Sequence, residues 1–200
     1  MRLSGLLIAV ALGGVTVALW AAANRPIPEP VWPARIQGFA FSPYRDGQDA
    51  IAGDYPTREQ IDADLALLEE RTRAVRTYTT ESTLGEVPAL AARHGIKVAL
   101  GAWIDARTDR NAREVDQAIR LARAHPNVVR VIVGNEVVLR GDVPVDDLIA
   151  WLDAVRDAVR QPVSTAEPWH VWLRHPELAD HVDYLAVHML PYWEGISAED

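Results

Sequence analysis

Residues 128–142 read VVRVIVGNEVVLRGD, and the fold turns on how this stretch is read. It opens with a β-branched run over 128–133, interrupted only by Arg130. A short apolar run of this kind suits a strand buried on both faces, as in a parallel sheet. The run closes on Gly134, and Asn135 and Glu136 follow at once. A carboxylate at the carboxyl end of a buried parallel strand stands where α/β barrels and open α/β sheets build their active sites. The plainer reading makes Glu136 a helix cap or a surface ion-pair partner. The flanking segments decide between them.

On both sides the chain alternates strand and helix patterns. Upstream, 36–41 is an apolar run ending in Ser42-Pro43-Tyr44. Thr57 with Gln60 forms a capping-box pattern ahead of Ile61, Leu65 and Leu68 at helical spacing. A second strand is expected over 74–78. Thr83 with Glu86 makes a second capping-box pattern, followed by Val87, Leu90 and Ala91 and a stop at Gly95. A third strand over 96–102 leads into Trp103 and Asp105. Asn111 with Glu114 then opens a helix with Val115, Ala118, Ile119 and Ala122 on its inner face.

Downstream, Pro144 begins a helix carrying Leu148, Ile149, Leu152 and Val155, and Gln161-Pro162 breaks it. A short fifth strand over 163–165 closes on Glu167-Pro168-Trp169. A short helix near 177–180 precedes a sixth strand over 184–187, which runs into His188 and Tyr192-Trp193.

Strands separated by amphipathic helices imply βαβ units and a parallel sheet. Units at roughly 20–40-residue intervals fit a (β/α)8 TIM barrel, which spends about 250 residues on eight. A doubly wound open sheet is the alternative, but no Gly-rich phosphate loop follows the first strand. Each strand end carries polar or aromatic residues, as at a barrel's catalytic face: Tyr44, Tyr78, Trp103 with Asp105, Asn135 with Glu136, Glu167 with Trp169, and His188 with Tyr192. Only about six βα units fit in the chain, so the reading expects the last two beyond Asp200.

Composition narrows the function classes. The 200 residues carry a net charge of −8, which argues against a nucleic-acid surface. There is no cysteine, hence no disulfide framework and no thiolate metal site. Seven tryptophans suit either sugar faces or core packing. No His/Asp/Glu group has metal-ligand spacing, since His170 and His175 lack an acidic partner pattern, and no Gly-x-Ser-x-Gly elbow is present. No cofactor is expected.

The segment 3–23 is free of charge between Arg2 and Arg25, so the positive-inside signal is weak. About 20 apolar residues suffice to span a bilayer. An uncleaved anchor is preferred to a signal peptide cleaved after Ala21-Ala22-Ala23. The expected organisation is a transmembrane or signal segment over 1–24, a Pro-rich linker over 25–35 (RPIPEPVWP and beyond) and a partial barrel over 36–200. The barrel would lie on the extracytoplasmic side of the inner membrane.

VGNEVVLRGD at 133–142, VRTYTTE at 75–81 and AVHMLPYW at 186–193 resemble glycoside hydrolase family 17, more closely its bacterial membrane-anchored members. The similarity covers about 37–193. It implies a retaining enzyme acting on β-1,3-glucan, with Glu136 as general acid/base and Asn135 bonding the sugar 2-hydroxyl. A retaining mechanism needs two carboxyl groups about 5–5.5 Å apart. In this family the nucleophile is a Glu on the seventh strand, expected here beyond residue 200. Glu167 is the nearest internal substitute, better suited to binding or a salt bridge.

Tyr78, Trp169, Tyr192 and Trp193 are candidate stacking platforms or loop packing. Arg76 and His188 are candidates to bond sugar hydroxyls or to satisfy a neighbouring carboxylate. Asp105 reads equally as a helix cap or loop residue and as a ligand, and Glu194 and Glu199 read as solvated. The implied partners are β-glucan, the membrane through the N-terminal helix, and a glycosyltransferase domain or subunit, since some members are fused to one. The alternatives are a β-glucan transglycosylase, a non-catalytic glucan-binding accessory module of a membrane glucan synthase, and an unrelated barrel with a coincidental Asn-Glu.

Overall fold

The computed structural model describes residues 3–26 and 31–196; Arg2, Pro28 and Pro30 of the spacer, and Glu199 lie outside them. The chain divides into two units, Met1–Pro33 and Ala34–Asp200. The first is built on α1 (Leu3–Ala23). Its span Ser4–Ala23 is 20 residues long, and none of it is buried within the protein. At about 1.5 Å per residue such a helix is long enough to cross a bilayer. Its polar side chains turn back on the helix: Thr16 donates to the Leu12 carbonyl (2.9 Å) and Asn24 to the Trp20 carbonyl (2.8 Å).

The second unit is a six-stranded parallel sheet whose spatial order is its sequence order. Its strands are β1 (Phe39–Ala40), β2 (Ala74–Arg76), β3 (Lys97–Ala102), β4 (Val128–Asn135), β5 (Val163–Pro168) and β6 (Ala186–His188). The crossovers carry α2 (Arg58–Leu68), α3 (Val87–Arg93), α4 (Thr108–Ala124), α5 (Val137–Arg140), α6 (Val145–Ala158) and α7 (Trp169–Arg174), with α8 (Pro191–Glu194) after β6. Sequential parallel order with intervening helices is the partial TIM barrel read from the sequence. Val98, Leu100, Val131, Val133 and Val163 of the strands meet Ile61, Leu65, Leu90, Val115, Leu148 and Leu152 of the helices in one core. Each such side chain, once buried, contributes about 1.5–3 kcal/mol.

Several local expectations are corrected. The ladder of β1 is two residues long rather than 36–41, because Ile36 makes only an isolated bridge to Thr72. The β5 strand is longer than expected, and all of Val163–Pro168 is buried. Its Ser164, Thr165 and Glu167 hide it from any hydrophobic pattern. The box at Thr83 and Glu86 does not form: Ser82–Glu86 is a 3-10 turn, Thr83 donates to the Pro56 carbonyl (2.6 Å), and Glu86 pairs with Arg58.

The third barrel helix, α4, starts at Thr108, before Asn111. Asn111 is instead buried, with its amide against the backbone of Asp105. Glu114, buried, accepts the Thr80 amide (2.9 Å) and hydroxyl (2.9 Å) and the Thr79 hydroxyl. The helix near 177–180 is a 3-10 turn, Pro176–His181, separate from α7. Pro176 lacks the N–H needed to continue α7.

Gly101 lets the end of β2 close over β3. A Cβ there would sit 2.3 Å from the Thr77 carbonyl oxygen and 2.7 Å from the Tyr78 Cα, both rigid backbone. Gly101→Ala should therefore destabilise the domain by about 2–3 kcal/mol, read by denaturant melts. A second prediction concerns His94, which bridges Asp62 (3.0 Å) and Glu69 (3.2 Å) and ties α3 to α2. The Asp62 hydrogen bond leads in raising its pKa above the ordinary 6.5. The stabilisation is complete below 6.5 and is lost as pH rises through the raised folded value. His94→Gln should accordingly lower the melting temperature more at about pH 6 than at about pH 9.

Candidate active site

The end of β4 departs from regular strand geometry, and that departure builds the site. Pairing with β5 shifts register between Ile132 and Asn135. Gly134 has φ +81°, and a Cβ on it would lie 2.4 Å from the Val137 side chain, so only glycine fits. Glu136 is also left-handed, at φ 56° and ψ 33°, and forms the N-cap of the four-residue α5. For a residue with a side chain this costs of order 1–3 kcal/mol, and it persists only where the surroundings over-determine it.

Those surroundings come from β5. The Glu136 N–H donates to the Ala166 carbonyl (2.7 Å). The carboxylate of Glu167 accepts the Val138 N–H on Oε1 (2.8 Å) and the Leu139 N–H on Oε2 (3.3 Å). Glu167, expected among the substrate contacts, thus lies beneath the strand ends, 0% exposed, with both oxygens engaged on the backbone. Burial pushes its carboxyl pKa up against the pull of the two N–H groups, and the charge of Glu136 pushes it further the same way.

Four of the expected site residues form one hydrogen-bonded chain. Arg76 Nη2 donates to Asn135 Oδ1 (2.7 Å), Arg76 Nη1 lies 3.2 Å from His188 Nε2, and His188 Nδ1 lies 2.6 Å from Glu136 Oε1. A guanidinium has only donors, so His188 Nε2 accepts and Nδ1 carries the proton offered to Glu136. One Glu136 oxygen is engaged in this way, and no hydrogen bond to the other occurs among the described residues. Asn135, its carbonyl held by Arg76, keeps its NH2 to donate. The guanidinium of Arg76 also lies 4.8 Å from the Tyr78 ring centroid, which brings a fifth expected residue into the group.

Arg140, which the sequence reading left unassigned, locks the same turn. It donates to the carbonyls of Asn135 and Ile104, pairs with Asp142 (2.5 Å), and stacks on Trp103 (4.6 Å). Its place inside the 128–142 stretch was the only signal. Beside this turn a cleft of about 980 Å³ opens over the ends of β1, β2 and β3, with Tyr44, Tyr55, Tyr78 and Trp103 on its walls. Asp105 belongs to it as an ion-pair residue: Arg107 above all holds its carboxyl down at about 2. Tyr55, its phenol pushed up to about 12 by burial, was not singled out from the sequence.

Trp169 and Tyr192 belong to the short helices that follow β5 and β6, α7 and α8. The Trp169 indole N–H donates to Glu194 (2.8 Å), so Glu194 is not simply solvated, and Tyr192 packs edge-on against Trp193 (5.5 Å). Both tyrosine and tryptophan of that pair are exposed. No group of three or more metal-ligating side chains occurs among the described residues.

Residues 38–200 match the BtgE/BtgC glycoside hydrolase domain. The chain belongs to this family, a glycoside hydrolase family 17-type domain. A glucan 1,3-beta-glucosidase of Schizosaccharomyces pombe is 33% identical over 148 residues, covering 66% of this chain and 46% of the relative. A putative glucan endo-1,3-beta-glucosidase of Aspergillus niger is 25% identical over 162 residues, covering 72% of this chain and 23% of the relative. Among solved structures, the glycoside hydrolase family 17 beta-1,3-glucanosyltransferase of Rhizomucor miehei superposes with a TM-score of 0.67 at 26% identity, covering 82% of this chain and 60% of that one. The chain thus spans a quarter to a half of the length of these two curated relatives.

The left-handed turn carries its own test. Glu136→Gly and Glu136→Ala both remove the hydrogen bond to His188 and differ in their tolerance of φ 56°. The glycine variant should be the more stable by about 1 kcal/mol, the reverse of the usual order, in paired thermal melts.

Proposed function

We propose that the domain acts on β-1,3-glucan by a retaining mechanism, with Glu136 as general acid/base. The observation that carries this reading is the chain Arg76–His188–Glu136 with Asn135 alongside. A proton on the free oxygen of Glu136 passes to the glycosidic oxygen as the bond to the leaving sugar breaks. The carboxylate so formed keeps the His188 Nδ1–H bond. Asn135 donates its NH2 to the sugar 2-hydroxyl, a contact that strengthens in the transition state. In the second half-reaction Glu136, now a base, takes a proton from the incoming hydroxyl. The family resemblance puts the nucleophilic glutamate on a seventh strand, and six strands lie among the described residues.

Substrate contacts in this reading are Asn135, Arg76, Tyr78 and His188 near the reacting bond, with Trp169 and Tyr192 as platforms for rings further along. The cleft over β1–β3 suits the continuation of a glucan chain, since it is walled by aromatic faces and ion-paired polar groups. Transfer to a second sugar, in place of water, is the alternative outcome at the same carboxylates. The likeness to the Rhizomucor miehei glucanosyltransferase favours it. We further propose that α1 is an uncleaved anchor that holds the domain on the extracytoplasmic side of the inner membrane, as in the bacterial branch, beside a glycosyltransferase domain or subunit. The length and uniform apolarity of α1 support the anchor.

Glu136→Gln in the full natural protein should reduce turnover of laminari-oligosaccharides by about 10³-fold or more while binding by calorimetry changes little. Products longer than the starting oligosaccharide at high concentration would mark transfer, and shorter products alone would mark hydrolysis. Binding without turnover in the unaltered protein would replace the enzyme reading with a glucan-binding accessory role.

A further inference from the structure

We infer that Glu167 is a positioning residue for Glu136, holding it in its left-handed conformation through the backbone of residues 138 and 139. This deepens the proposed function and rests on Glu136 being the acid/base. Three observations converge. Glu136 adopts φ 56° without the freedom of glycine, so something outside its own dipeptide holds it there. The residues that immediately follow it are fastened to one side chain, with Val138 N–H on one oxygen of Glu167 (2.8 Å) and Leu139 N–H on the other (3.3 Å). The residue before Glu167 completes the hold, since the Ala166 carbonyl accepts the Glu136 N–H at 2.7 Å.

Adjacent residues of β5 therefore grip the turn on both sides of the Glu136 Cα. A fully buried carboxylate needs a reason to be there, because leaving water disfavours its charge. No Lys, Arg or His side chain makes an ion pair with it among the described residues. Its partners are the two amides, which a four-residue helix beginning at Val137 would otherwise leave without intrahelical acceptors. A neutral amide of the same shape cannot serve both, since a glutamine NH2 would face the N–H of Leu139 or Val138. The carboxylate is thus matched to a pair of donors, and the pair is matched to the turn that carries Glu136.

If Glu167 lets go, residues 137–139 can relax, Glu136 can leave the left-handed region, and its carboxyl no longer meets His188 Nδ1 at 2.6 Å. Substrate binding should survive this, because Arg76 and Asn135 stand on β2 and β4, Tyr78 follows β2, and the cleft lies over β1–β3.

The test uses the full natural protein with Glu167→Gln and Glu167→Ala, beside Leu65→Ala in α2 as a buried core variant on a helix that packs against α3. Displacing a reacting group by about 1 Å costs about 100-fold, so Glu167→Ala should lose about that in kcat with KM within about threefold. Glu167→Gln, with one acceptor oxygen left, should fall between Glu167→Ala and the unaltered protein. Leu65→Ala should lower the melting temperature and leave kcat within about threefold, which separates positioning from general loss of stability. Crystal structures of both Glu167 variants should show Glu136 out of the positive-φ region, with its carboxylate beyond hydrogen-bonding reach of His188 Nδ1. If Glu167→Ala does not fold, Glu167→Gln carries both readouts.

An unchanged turn in the variant structures, or kcat within about threefold of the unaltered protein, would overturn the inference. Absence of turnover in the unaltered protein would remove the proposed function instead, and the variant structures would still decide whether Glu167 holds the turn.

Discussion

The grip of β5 on the end of β4 is the constraint on which the site depends. A parallel strand that ran straight on would carry Asn135 and Glu136 on opposite faces, one inward and one toward the helices. The register shift, Gly134 and the left-handed Glu136 break that alternation within a few residues. Asn135 and Glu136 then share one hydrogen-bonded group with Arg76 and His188. The strained turn is held by bonds from Ala166 and Glu167, both on the neighbouring strand. Parallel pairing of β4 with β5 is therefore a structural requirement and a chemical one together.

The electrostatics around the turn have a consistent logic. The guanidinium of Arg76 is largely out of water, and burial draws its pKa down while Tyr78, Tyr184 and Glu136 oppose that. Its Nη1 and Nη2 face His188 and Asn135, which sets the proton of the first and orients the second. Tyr184, with its phenol pushed up to about 12 by burial, stays neutral beside it. Arg140 fills the other flank by binding backbone carbonyls and the face of Trp103. The cations here serve mainly to orient polar groups. Their geometry matters more than any net attraction, because buried ion pairs lose much of their Coulombic gain to desolvation.

Much of the barrel was legible because its elements follow simple periodicities. The helices α2, α4 and α6 bury the residues their helical spacing marks, Ile61 and Leu65, Val115 and Ala118, Leu148 and Leu152. The capping box of Thr57 and Gln60 is present as expected, because both of its bonds are local. The box at Thr83 and Glu86 failed for the opposite reason. Each of those side chains found a partner across the fold, in Pro56 and Arg58. The β5 strand runs longer than its hydrophobic pattern because half of it is polar: Glu167 bonds the turn after β4, which no pattern within 163–168 reveals, and Ser164 bonds the Thr165 carbonyl.

By itself the sequence determined the alternation of strands and helices, the apolar N-terminal span, and the position of Asn135 and Glu136 at the end of a buried strand. All three depend on short-range spacing, which the order of residues carries directly. Only the tertiary structure decided that Arg76, Asn135, Glu136 and His188, spread over 112 residues, form one chain, and that Glu167 supports the turn from below. A hydrogen-bond partner on another strand depends on register and on the rotation of each strand end. Those are fixed only when the strands pack side by side.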